Sequence, residues 1–541
     1  MAIRVSNLRL PLDEPEAALG ARLARLLRVP ASEIASWRIL RKSLDARLKD
    51  AFRFVYAAEV RLLGDEPAVV VHARPREGIR VELHEEPTFA PTPPGSEPLA
   101  HRPVVIGSGP AGLVAGYFLA ELGYQPIVLE RGKSVRERIG DVHAFDAGGV
   151  FEPESNYLFG EGGAGTFSDG KLTSRGAGPE VRRVLELFAE CKGKPSVVYD
   201  YRPHLGSNRL PAVVKAIRRR IEALGGEVRF SCKVEDLVLG ENGLRGLATS
   251  SGHIPADVAI LAIGHSARDT MEMLVRGGVP IVPKPFQMGV RIEQPQETVN
   301  RVKYGSMPYE RQLGAADYNL VAPGPHDLFT FCMCAGGHVI PSVSDAGFFG
   351  TNGMSLSTHE SPFANSGLVV TIPVENFEGT DVLAGVRLQE RFERRAFEMG
   401  RGEYRCPIQR ADDFLRDRLT TGLPACSYPR GLVLASMADL VPGLVRDSLK
   451  HGLPILDRKW GGRFLRDAVL VGPESRGSSP IRIVRDERTR ASPGIAGLYP
   501  VGEGAGYAGG IVSAGVDGLR TAMAIVGRYA PLTNGAPTSG G

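Results

Sequence analysis

Between residues 103 and 131 the chain reads PVVIGSGPAGLVAGYFLAELGYQPIVLER, and few segments restrict a fold as tightly. An apolar strand runs into Gly107, Gly109 and Gly112, a helix follows, and a second apolar strand ends on Glu130. This is a βαβ opening with G-x-G-x-x-G at its first turn. Gly107 permits the turn, Gly109 lets a pyrophosphate reach the backbone, and Gly112 lets helix and strand pack closely. Pro110 and Ala111 open the helix, whose unpaired N–H groups and positive dipole end suit phosphate. Glu130, about 20 residues on, is placed to accept hydrogen bonds from ribose hydroxyls. Arg131 and Arg138 follow as basic groups that suit phosphate or a solvated surface equally.

A chain of 541 residues can bury several cores, so the βαβ unit is one part of a larger protein. Its 66 glycines exceed the usual share of roughly 7% and cluster at motifs, as tight turns and close backbone approaches require. A net charge of +4 is too weak over this length to imply nucleic acid or an anionic membrane, which leaves a small molecule as partner. The six cysteines form no CxxC pair, so neither a disulfide framework nor a metal site is indicated. The opening MAIRVSNLRLPLDEPE does not resemble a signal peptide, and no uncharged apolar run of about 20 residues occurs, so a cytoplasmic protein is expected.

Residues 1–90 read as a small α/β module, with strands at Ile3–Leu10, Ala35–Leu44, Arg53–Leu62 and Val69–Val71 and a helix at Ala17–Leu27. Residues 91–102 form a proline-rich linker. The first part of the nucleotide-binding domain spans 103–270, a mixed α+β substrate domain 271–485, and a second nucleotide-binding part 486–530. A disordered tail is expected at 531–541.

The glycine fingerprint alone serves NAD or FAD, and GIAGLYPVGEGAGYAGGIVSAGVDGL near the end decides between them. It resembles the second FAD fingerprint of the glutathione reductase and p-hydroxybenzoate hydroxylase superfamily. That likeness implies that Gly502 and Glu503 meet the ribityl or pyrophosphate region and that Gly510 and Ile511 begin a helix aimed at the flavin. Glu503 stands where aspartate is more usual, which lengthens the arm and keeps the acceptor. The same superfamily implies adenine contact through the backbone of Val234 and a strand-to-glycine motif ending at Gly264. In FGEGGAGTFSDGK, the run Gly162, Gly163, Ala164, Gly165 and Thr166 can lay N–H groups on pyrophosphate or the flavin edge, with Lys171 supplying a cation.

The chain is further similar to the uncharacterised bacterial FAD-dependent dehydrogenases. The residues that carry the likeness are RKSLDAR (41–47), FVYAAEV (54–60), FGEGGAGTFSDGKLTSR (159–175), PHLGSNRL (203–210), GHSARDT (264–270), FCMCAGG (331–337), TNGMS (351–355) and GEGAGYAGGIVSAGVDG (502–518). Asn208 and Ala335 replace an acid and a proline more usual there. The resemblance implies a two-part Rossmann-like FAD-binding domain, non-covalent FAD and two-electron oxidoreductase chemistry, with no settled substrate.

Such an enzyme leaves the hydride chemistry to its cofactor and demands few catalytic side chains. No Cys-x4-Cys occurs early in the FAD domain, which disfavours disulfide reduction. No second G-x-G-x-x-G opens a nicotinamide domain, so NAD(P)H is expected only as a transient donor. Cys332 and Cys334 alternate on one strand face and suit either a redox or metal pair in the pocket or two small buried hydrophobes. His338, His359 and His265 are proton-transfer candidates, although each also suits a structural role. A flavin monooxygenase stays open as an alternative. So does an FAD-bound protein whose N-terminal module recruits RNA or protein through Arg38, Arg41, Lys42, Arg47, Lys49 and Arg53, which also fit a solvated face.

Overall fold

The computed structural model describes residues 1–48, 51–75, 78–174, 176–241, 243–305 and 309–532. Lys49 and the expected tail from 533 onward lie outside the described residues. At the N-terminus, Ile34–Asp45, Arg53–Leu62, Ala2–Pro11 and Arg80–His84 form an antiparallel sheet in that order. The helix Ala18–Leu27 buries Leu19, Leu23 and Leu27 against it. The expected strand at Val69–Val71 is instead part of a helix, Glu66–His72. Asp65 accepts a hydrogen bond from the Ala68 N–H at 3.2 Å and Pro67 stands in the first turn, so capping outweighs the β preference of three valines. The fourth strand is Arg80–His84, whose short alternating pattern escapes sequence reading.

A parallel sheet forms the centre, in the order Leu498–Pro500, Ala259–Leu261, Val104–Ile106, Ile127–Leu129, Glu227–Arg229. The strand of the second fingerprint therefore completes the sheet that the first one begins, in a two-part Rossmann-like fold. The helices Pro110–Glu121 and Ile511–Val526 pack on it side by side. Their approach depends on glycine: a Cβ at Gly518 would lie 2.1 Å from the Ala111 carbonyl oxygen, and one at Gly112 would lie 1.9 Å from that of Gly107. The stretch after the N-terminal module is pinned along the closing helix, with Gly95 donating to the Val526 carbonyl at 2.8 Å and Ala530 to that of Glu97 at 2.8 Å.

Between the two nucleotide-binding segments lies a seven-stranded mixed sheet. Its central strands Phe363–Ile372, Phe286–Pro295 and Val469–Glu474 are antiparallel and almost wholly buried. Beside it Gly337–Pro341 pairs with Thr351–Ser355. Among the described residues no helix is long and apolar enough to cross a membrane.

Candidate active site

One cavity of about 1190 Å³ runs between the central parallel sheet and the seven-stranded sheet. Pockets for one drug-sized ligand occupy roughly 300–1,000 Å³, so this one has room for more than a single small molecule. Its nucleotide end is built by the first fingerprint. Gly107 has φ 103°, and a Cβ at Gly109 would meet nothing within 4 Å, so the backbone there faces open space. Pro110, Ala111, Val234 and Gly264 line the same wall.

Gly162, with φ 84°, starts a short 3-10 turn, Gly163–Phe167, that crosses the first fingerprint. A Cβ at Gly163 would stand 3.2 Å from the Gly109 Cα, and one at Gly165 would stand 3.4 Å from Pro110 and 3.6 Å from Ile511. This turn therefore sits where the two fingerprint helices begin. Gly163, Ala164, Gly165, Gly502, Glu503, Gly510 and Ile511 all line the cavity. Two helix N-termini, an uncovered glycine backbone and an acid at each strand end are a donor and acceptor set that fits FAD.

Glu130 is committed beyond its expected ribose role. Its carboxylate accepts from the Ser108 N–H at 3.0 Å and hydroxyl at 2.6 Å, and from the N–H groups of Gly132 at 2.9 Å and Gly160 at 3.0 Å. It lines the cavity while holding three loops together. Glu503 is half-buried and accepts from the Ser479 N–H at 2.9 Å. Burial raises its pKa above the ordinary carboxylate value, against that hydrogen bond and the charge of Lys284.

Several expected contacts are corrected. Gly112 keeps its expected role in the strand–helix packing, facing the Gly107 carbonyl, but does not itself line the cavity. Thr166 turns inward, where its hydroxyl donates to the Glu161 carbonyl at 3.1 Å. Arg131 is saturated by Glu154 at 2.6 and 3.0 Å and by Asp269 at 2.8 and 2.9 Å, which leaves little of it for phosphate. Arg138 is fully buried and donates to the carbonyls of Asn156, Gly160 and Glu161, so it shapes the glycine loop from behind. Lys171 lies at the other end of the cavity, bonded to the Met333 carbonyl and 3.7 Å from Asp169.

Of the proton-transfer candidates, His338 sits in the strand Gly337–Pro341 and does not line the cavity. His265 lines it and is half-buried. Burial, with the charges of Arg476 and Arg268, lowers its pKa to about 4, so it is neutral at neutral pH. His359 lines the cavity, and its Nδ1 lies 2.6 Å from the Ala335 carbonyl. Cys332 and Cys334 both line the cavity but do not share a strand face. The register against Phe363–Ile372 breaks between Phe331 and Cys334, and Cys332 has φ 43°, so Cys332 is exposed while Cys334 is buried. Desolvation raises the pKa of the buried Cys334 thiol, which disfavours a reactive thiolate there.

Two groups that sequence reading did not single out join this end. Asp169 is buried, its Oδ1 accepts from the Ser355 hydroxyl at 2.5 Å, and that hydroxyl lies 3.1 Å from His204 Nε2. The His204 and His359 rings stack at 4.2 Å. Asp169 and His204 lie inside SDGK and PHLGSN, and only the fold brings them together with Ser355 and His359. The N-terminal module also reaches the cavity, through Lys42 and Phe54. Its basic stretch is matched by acids: Arg38 bonds Glu59 and Glu86, Lys42 bonds Glu16, and Arg47 bonds Asp45.

Comparison with known proteins follows this division. Residues 285–477 match the family described as FAD-dependent protein, C-terminal domain-like. Residues 105–163 match an NAD(P)-binding Rossmann-like domain, and residues 2–61 match a domain of unknown function. An uncharacterised protein of Clostridium beijerinckii is 38% identical over 534 residues, covering 98% of this chain and 99% of that one. Among solved structures, L-proline dehydrogenase from P. horikoshii is similar at 12% identity and TM-score 0.34, over 80% of this chain and 93% of that one. Glycine oxidase from Bacillus cereus ATCC 14579 is similar at 12% identity and TM-score 0.33, over 80% and 96%. The family descriptions and the bacterial relative, rather than these distant structures, carry the assignment.

Proposed function

The chain belongs to this family of FAD-dependent oxidoreductases, and from that premise we propose that it is a two-electron dehydrogenase or reductase acting on a small molecule beside the flavin. One observation carries the reading: a single cavity joins the residues suited to FAD with a separate cluster of proton-transfer groups. In this reading Gly107, Gly109, Pro110 and Ala111 offer backbone to the pyrophosphate, and Glu130 keeps its loops closed around the adenosine half. Gly163–Gly165 and the helix start at Gly510–Ile511 flank the flavin half. Bound FAD supplies the two-electron acceptor, and the chain supplies position, exclusion of water and a proton path.

The substrate end is walled by Lys171, His204, His359, Cys332 and the N-terminal Phe54. Its polar groups can orient a small polar substrate. Anaerobic titration of the purified protein with NADH and NADPH, then exposure to air, tests the proposal. Bleaching by a nicotinamide, with slow reoxidation in air, supports a reductase. Rapid oxygen consumption coupled to substrate hydroxylation would replace this reading with a monooxygenase.

A further inference from the structure

Resting on the reading that the cavity holds FAD and substrate together, we propose that its far end oxidises a CH–OH group. His204 takes the hydroxyl proton, positioned for that task by Ser355 and Asp169. The geometry fixes the direction of each hydrogen bond. Ser355 has one hydroxyl proton, and at 2.5 Å from Asp169 Oδ1 it donates to the carboxylate. The contact from His204 Nε2 to Ser355 Oγ at 3.1 Å must then be donated by the imidazole. The neutral tautomer that fits this contact carries its proton on Nε2 and holds a lone pair on Nδ1, as the base of a carboxylate–hydroxyl–imidazole chain does. His359 is fixed the opposite way. A carbonyl only accepts, so its Nδ1 donates to Ala335 and Nε2 keeps the lone pair. Its backbone, at φ 55°, is pressed against Gly336, where a Cβ would stand 2.1 Å from the His359 carbonyl oxygen, so the ring beside His204 is held rigidly.

The electrostatics agree. Asp169 is 6% exposed, and its Oδ2 has no hydrogen-bond partner, only the Lys171 ammonium 3.7 Å away. Burial opposes its charge, yet the His204 interaction and Lys171 hold the carboxyl below the usual carboxylate range. It stays ionised and stabilises an imidazolium through Ser355. Lys171 supplies the opposing charge that makes a buried carboxylate tolerable.

Donor atoms of Asp169, His204 and His359 lie within 4.8 Å of one another, a spacing a metal ion could also use. Two features oppose it. The Lys171 ammonium already faces the Asp169 oxygen that a cation would take, and His204 Nε2 is turned to Ser355. A divalent ion would stand beside a fixed like charge, whereas a proton relay uses every one of these contacts.

A hydroxyl must lose its proton as the carbonyl forms, and His204 Nδ1 is the base that takes it. The C–H bond breaks and its electron pair passes as hydride to FAD. The O–H bond breaks and its proton passes to His204 Nδ1, and the carbon–oxygen bond becomes double. FAD is the oxidant and no further reactant is needed.

The test uses the FAD-loaded protein with isotope-labelled histidine and trifluoroethanol as probe. NMR should show His204 with its lone pair on Nδ1, and Asp169→Asn should mix the two tautomers. Fluorine NMR should show saturable trifluoroethanol binding that weakens about tenfold in His204→Gln, the loss of one hydrogen bond. A His204 lone pair on Nε2, or probe binding absent or indifferent to His204→Gln, would overturn the proposal. So would one equivalent of Zn²⁺ bound by wild type and lost in both His204→Gln and His359→Gln. Failure of the flavin reading would appear separately, as a preparation that takes up no FAD while the His204 tautomer is unchanged.

Discussion

Gly109 and Gly112 are three residues apart, yet a side chain at each meets different surroundings. At 109 a Cβ enters open cavity, so Gly109→Val should fold normally and purify without flavin. At 112 a Cβ would lie 1.9 Å from a backbone oxygen, so Gly112→Ala should cost about 1–3 kcal/mol or more in chemical denaturation. Glu130 belongs to both categories. Glu130→Ala strips the acceptor from three backbone N–H groups, each at about 1–3 kcal/mol when left buried and unpaired. Its melting temperature should fall even in flavin-free protein, an effect that ribose contact alone would not produce. His265 adds a pH dependence. Burial and two arginines hold its pKa at about 4 against an ordinary 6.5, so the unfolded chain takes up the proton first as pH falls. The stabilisation is complete above about 6.5 and is lost as pH drops toward 4, by at most about 3 kcal/mol. His265→Gln should flatten that part of a stability-versus-pH curve.

At the scale of elements, the two halves are clamped by a buried charge cluster. Glu393, on the helix Ala384–Met399, accepts from Arg268 at 2.9 Å and from Arg476 at 2.7 and 2.9 Å. Arg268 begins the helix that follows the Gly264 turn, and Arg476 follows the strand Val469–Glu474. The cluster thus ties the nucleotide-binding sheet to the seven-stranded one beside the cavity. Glu393→Gln removes the carboxylate that Arg476 pairs with and leaves Arg268 only the longer contacts to Asp345 at 3.8 Å and Glu390 at 3.9 Å, and should cost about 3 kcal/mol in urea unfolding. The clamp was illegible in sequence because its members lie far apart and each resembles an ordinary surface charge. Both fingerprints were legible, because glycine spacing, flanking apolar strands and a following helix are local. Thr166 was misread for the converse reason. A loop's composition says that it turns, and only the fold says which side chains face inward.

At the scale of the whole molecule, distant segments converge on one cavity. Two fingerprints nearly 400 residues apart share a sheet, and Asp169, His204, Ser355 and His359 meet only through the tertiary fold. The N-terminal module shows the same limit. Its strands at Ala2–Pro11, Ile34–Asp45 and Arg53–Leu62 follow from alternation, but nothing local announces that Phe54 and Lys42 reach the cavity. The most direct test is the visible absorbance spectrum of the purified protein, followed by release and chromatography of its chromophore. One FAD per chain in wild type, absent from Gly109→Val of equal stability, is the result expected. Wild-type protein that carries no flavin, even after incubation with excess FAD, would contradict the account at its base.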